Sequence, residues 1–220
     1  MDMELQKKDL RAEQMATLSR PRLKYSFAAH FFFFSMDLVT GKRNTLSKAM
    51  LLEILASIPY REWEIRKYGK ITRSFRNLEK VAYAEGVIDW SRHAQDNEFD
   101  HLQVINEKMK EDGLKEAWYL KPIFTTFFVL TYVIIAKLIA RINIKGAFHF
   151  NGEFEDHAEH VYAGMVNDNP EWENQKVDNP LVKRYADVEN WADVFRRIGL
   201  DEREHRNESF TLSGNSDLVA

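Results

Sequence analysis

Cysteine is absent from this 220-residue chain. That excludes disulfides, iron–sulfur clusters, thiolate zinc sites and thiol switches, so any metal must be held by His, Asp and Glu. Glycine and proline are scarce, at 9 and 5, which leaves few turn formers and favours long helices. Basic charge is not in excess either. The net charge of −3 gives no electrostatic footprint for nucleic acid, and none is expected as a partner. No repeat appears, and no period-2 alternation runs long enough to suggest a sheet. The opening MDMELQKKDLRAEQ is charged throughout and lacks the apolar core of a secretory signal.

What is present is helical periodicity. It predicts helices at about 22–39, 44–68, 74–110, 117–144, 147–166 and 188–210. Breaks are expected at Gly41, Gly69, Gly113 and near Gly86, with a polar loop from Asn167 to Pro180. The expected fold class is all-α: one domain over 22–210, after a charged arm at 1–21 and before a tail at 211–220. Two stretches are unusually apolar, Tyr25 to Leu38 with its four consecutive phenylalanines, and Ile123 to Ile144. The uninterrupted run in the second, Ile123 to Ala136, falls short of the ~20 residues needed to cross a bilayer. Both stretches fit core helices of a soluble bundle. They also fit a monotopic protein whose apolar helices lie in one leaflet while Lys137 and Arg141 reach headgroups.

One spacing occurs twice. Glu98 stands three residues before His101, and Glu202 three before His205. On a helix such pairs share a face and present two ligands in one direction. A single pair is most often a surface ion pair. Two pairs on separate helices match the dinuclear carboxylate centre of ferritin-like four-helix bundles, provided two further helices each offer a lone carboxylate. Glu53 is one candidate. Its neighbours Leu51, Leu52, Ile54 and Leu55 are apolar, so its charge is hard to expose and costly to bury unpaired. The other comes from Glu153, Glu155, Asp156 and Glu159. Of these, Glu155 and Glu159 share a helical face and remain rivals, and His157 with His160 makes a weaker i,i+3 alternative. Oxygen donors with two imidazoles suit iron or manganese better than zinc or copper.

At these residues the chain resembles the alternative oxidase family of di-iron quinol oxidases, and most closely its plastid terminal oxidase branch. LLEILASIPY, NEFDHL, EDHAEHVY and DVFRRIGLDEREH are similar, in order, to the family's four blocks. Pro59–Tyr60 and His157 fit the plastid type. The resemblance implies a fold, a ferritin-like bundle with two iron ions and flanking apolar helices. It also implies an activity, oxidation of a membrane quinol with reduction of O2 to water and no proton pumping. It selects Glu155, giving the ligand set Glu53, Glu98, His101, Glu155, Glu202 and His205. Tyr162 then matches the tyrosine implicated in oxygen reduction, and Asn97 and Asp201 match positions that orient ligands. The resemblance further implies monotopic membrane association, on the cytoplasmic face of the inner membrane in a bacterium, and a homodimer.

Three residues depart from the family pattern. Lys48 stands where the quinol pocket has Arg, Ile54 where Thr is usual, and Glu159 where an uncharged residue is usual. The first two motivate an alternative, a di-iron hydroxylase acting on a quinone or another apolar substrate. A third possibility is a ferritin-like iron-binding protein with no organic substrate. Under the Glu155 assignment, replacement of Glu159 is expected to be tolerated.

Overall fold

The computed structural model describes residues 9–220. The described residues are all-α, with eight α-helices and a single isolated bridge, Lys176 to Asn190. Chain contacts divide them into two units, one of residues 45–147 and one joining the residues up to 44 with 148–220.

The 45–147 unit is built on two long helices, α3 (Leu46–Ser74) and α4 (Leu78–Glu111). Thr45 starts α3 by accepting the Lys48 N–H at 3.2 Å, and Asn77 starts α4 by accepting that of Lys80 at 3.0 Å. Both side chains supply the acceptor that an unsatisfied helix N-terminus requires. The breaks expected at Gly69 and Gly86 do not occur, since both residues lie inside helices. A helical glycine costs only about 1 kcal/mol, and the long α3–α4 contact outweighs it. Between the two helices Trp63 and Trp90 stack at 5.6 Å, with Tyr60 edge-on to both. The third helix, α5 (Pro122–Ile142), opens with proline, whose fixed φ and missing N–H suit the first turn. It packs along α3, with Ala136 and Ala140 buried.

The other unit holds α1 (Leu10–Ser19), α2 (Phe27–Thr40), most of α6 (Ile144–Asp168), α7 (Pro180–Tyr185) and α8 (Trp191–Ser213). The charged arm expected at 1–21 is, from residue 10, a helix packed on α8 with Gln14 and Thr17 buried. Residues 1–8 of that arm lie outside the described residues. At the other end Asn207 bonds the backbone of Ala220 through both its amide groups.

Of the two glycines facing the α6–α8 contact, only Gly152 is required by close approach. A Cβ at Gly152 would lie 2.7 Å from the buried Phe210 ring, whereas one at Gly199 would meet the Tyr162 Cβ at an ordinary 3.7 Å. Gly152→Ala is therefore expected to destabilise the protein by about 1–3 kcal/mol through overpacking. Gly199→Ala should be neutral or slightly stabilising in chemical denaturation. Equal costs at the two positions would contradict this packing.

Candidate metal centre

Each unit carries half of the expected ligand set. In the 45–147 unit, α3 supplies Glu53 and α4 supplies Glu98 and His101, all buried. Glu53 Oε2 lies 3.1 Å from His101 Nδ1, and Glu98 Oε2 lies 3.9 Å from the same nitrogen. The three offer ligand atoms within 4.8 Å of one another. In the other unit, α6 supplies Glu155 and α8 supplies Glu202 and His205, equally buried and within the same distance of one another. His205 Nδ1 is 3.7 Å from Glu202 Oε2, the separation that i,i+3 neighbours adopt on one helical face.

Buried carboxylates at such spacing repel one another and are expensive to keep charged. Divalent or trivalent cations would offset both costs, and carboxylate with imidazole is a donor set that iron accepts. The residues therefore fit a metal centre.

The surrounding side chains brace these groups. Asn151, one turn before Glu155, donates to its Oε1 at 3.0 Å and to Ser209 Oγ at 3.1 Å, so a buried amide fixes the carboxylate and ties α6 to α8. Asp201, adjacent to Glu202, accepts from Arg197 at 2.6 Å and from the Tyr185 hydroxyl at 2.7 Å. Burial, followed by the Asp201 charge, raises the Tyr185 pKa well above its ordinary value, so this phenol stays protonated and donating. Asn151 and Tyr185 were missed from sequence. Asn151 had a signal in its i−4 spacing from Glu155, but Tyr185 sits on a separate short helix and had none.

The remaining expected residues are placed as follows. Tyr162 is buried on α6, its ring 6.2 Å from that of Phe195. Lys48 is buried in the first turn of α3, and Asn97 is half-buried beside Glu98 on α4. His157 stacks on Phe33 at 4.1 Å and meets Arg22 through Nδ1 at 3.1 Å, while the His160 Nδ1 lies 2.7 Å from the Asp156 carbonyl. These two histidines thus serve packing and backbone contacts.

A scan against protein-family models matches the alternative oxidase model over residues 6–214. The chain belongs to the alternative oxidase family. A comparison with curated proteins returned no match. As a member of that family the protein is a di-iron quinol oxidase, an enzyme that uses quinol and O2, and its buried Glu and His groups agree with the di-iron centre. Alternative oxidases are membrane-associated.

Glu159 is not the replaceable surface carboxylate that its expected tolerance assumes. It is 1% exposed and bonded to Thr17, Arg20, Arg203 and Arg206. Removing its charge leaves Arg20, Arg203 and the buried Arg206 with one acid fewer, so Glu159→Ala is not a harmless change. Burial pushes the Glu159 pKa up, but hydrogen bonds from Arg20 and Arg203 and the charges of Arg203 and Arg206 outweigh it and hold the carboxyl below the usual range. A depressed folded-state pKa contributes stability that is present above the ordinary glutamate value and lost as pH falls through the lower one. Glu159→Gln is therefore expected to lower the urea midpoint at neutral pH and to narrow its gap from wild type on acidification. A gap independent of pH would show that the Glu159 charge contributes nothing.

Proposed function

We propose that Glu53, Glu98, His101, Glu155, Glu202 and His205 are the ligands of the di-iron centre. Two half-sets, each buried, each with its own ligand atoms close together, and each made of one carboxylate plus one Glu-x-x-His, support this reading above all. When bound, the iron pair supplies the redox chemistry of oxygen reduction. The chain's own residues do the rest: Asn151 orients Glu155, Asp201 holds the start of the last ligand pair, and Tyr162 offers a buried phenol on the helix that carries Glu155. Purified protein is expected to bind about two irons per chain, as a coupled pair with a mixed-valence EPR signal after partial reduction. One zinc per chain and no iron after anaerobic reconstitution would refute the assignment.

The quinol pocket would be served by Lys48, a point charge where the planar fork of Arg is usual. Asn97 would steady Glu98 beside it. The plastid-type features, Pro59–Tyr60 and His157, are consistent with a plastid-branch relative.

Membrane association is proposed to be monotopic. By length and composition α5 could cross a bilayer, with a mean hydropathy of 2.2 over an 18-residue window of its 21 residues. The uninterrupted apolar run ends at Ala136, but the helix, within the 117–144 read from periodicity, continues to Ile142. Its packing argues for lying in one leaflet. The α5 helix runs along α3, which carries Arg61, Glu62, Arg66 and Lys67, and Lys137 pairs with Glu62 at 3.6 Å. Such a charged companion is costly in hydrocarbon. The opposite face of α5, with Ile123, Phe127, Leu130, Ile134 and Leu138, is exposed. Another exposed stripe, Phe27, Phe31, Phe34 and Leu38, follows one face of α2. Replacing Phe127, Leu130 and Ile134 by Ser is expected to release the protein from neutral liposomes without loss of iron. Membrane retention would contradict this, as would tags accessible on both sides.

A homodimer is proposed on the exposed apolar residues Ile65 and Tyr68 of α3 and Phe75 just past its end.

A further inference from the structure

Glu159 lies on α6 one turn past Glu155, and it is an acid where the family usually has an uncharged residue. Its Oε1 accepts from Thr17 Oγ1 at 2.7 Å and from Arg203 Nε at 2.8 Å. Its Oε2 accepts from Arg20 at 2.5 Å and from Arg206 at 2.9 Å. One carboxylate thus joins three pieces of chain: the end of α1, the helix carrying Glu155, and the helix carrying Glu202 and His205. The two α8 arginines are the residues immediately after those ligands.

A second acid reinforces the junction. Asp156, fully buried, accepts from Tyr25 at 2.9 Å, Arg206 at 3.2 Å and Arg20 at 3.4 Å. Arg203 also bonds the Glu13 carboxylate. Three arginines are thereby matched by three acids, so the cluster is charge-balanced in place. Two neighbouring contacts extend it along α1: Gln14 donates to the Ala163 carbonyl at 2.9 Å and accepts from Arg196 at 2.7 Å. These bonds have fixed directions, unlike apolar packing, and so restrict rotation of α8 against α6.

We propose that Glu159 is a positioning residue of the metal centre, and that α1 is a working part of that centre through Thr17 and Arg20. By fixing α8 against α6, with the end of α1 closing the third side, Glu159 sets the mutual geometry of Glu155, Glu202 and His205. The proposal rests on the ligand assignment above.

The test uses the full-length chain stripped of metal and titrated with cobalt(II), whose visible spectrum reports ligand geometry independently of oxidase activity. Glu159→Gln and Arg20→Ala are each expected to weaken cobalt binding roughly tenfold or more, to alter the cobalt bands and to speed amide exchange in α1. Glu159→Asp should restore much of the affinity. Val87→Ala, a cavity on α4 eleven residues before Glu98, should lower stability yet leave the spectrum unchanged. Arg20 is partly exposed, so Arg20→Ala decides the matter if Glu159→Gln does not fold. Wild-type cobalt affinity and spectrum in the folded variants would overturn the proposal. Undiminished cobalt binding by Glu155→Ala would instead refute the ligand assignment.

Discussion

Glu155→Ala is expected to yield protein without iron and without quinol-dependent oxygen uptake. The carboxylate is fully buried, held by Asn151, and grouped with Glu202 and His205. Its loss removes a ligand and leaves an unbalanced positive charge in a low-dielectric site, which disfavours the metal itself. Tyr162→Phe makes the contrast. It removes one phenol oxygen from a buried side chain outside the ligand set, so iron content should stay at the wild-type level while most turnover is lost. Metal analysis and oxygen uptake on the same preparations check both halves. Iron retained in Glu155→Ala and lost in a folded Glu159→Gln would place the ligand one helical turn further along, and the role of Tyr162 would fail with it.

Asp201→Ala is expected to be the most damaging change outside the ligand set, at about 3–5 kcal/mol. The reason is local. Asp201 is 1% exposed and is the counter-ion of Arg197, itself buried, at 2.6 Å; it also accepts the buried Tyr185 hydroxyl. Alanine leaves a buried cation and a buried phenol without their acceptor. Tyr185→Phe removes only the donor and should cost about 0.5–1.5 kcal/mol. Urea unfolding with unchanged m-values measures the two losses. Similar costs for both variants would mean that the Arg197–Asp201 pair adds nothing beyond one hydrogen bond.

The helices and the buried Glu and His groups were legible in the sequence because both depend on spacing. Apolar periodicity located the long helices, and Glu-x-x-His picked out the faces of α4 and α8 proposed to hold metal. Helix ends were less legible. Gly69 and Gly86 looked like breaks, yet the α3–α4 contact carries both through. The length of α5 was read from its periodicity, but its capacity to span was underread because the uncharged run stops at Ala136, whereas a helix continues when its charged side chain can reach a partner such as Glu62. Least legible was anything that depends on distant segments meeting. Nothing in RAEQMATLSR announces that Thr17 and Arg20 will close on Glu159, more than a hundred residues later, nor that Tyr185 will cap Asp201. Such contacts follow from tertiary packing, which no local period encodes.

The central claim is that this chain is a di-iron enzyme coupling quinol oxidation to full reduction of oxygen. Oxygen uptake by purified, iron-loaded protein given a short-chain quinol, with cyanide present to silence haem oxidases, tests it most directly. The account predicts uptake that depends on iron, with two quinols oxidised for each O2 consumed, the ratio that four-electron reduction to water requires, and quinone as the only organic product. A hydroxylated product, or uptake unchanged after the iron is removed, would contradict it.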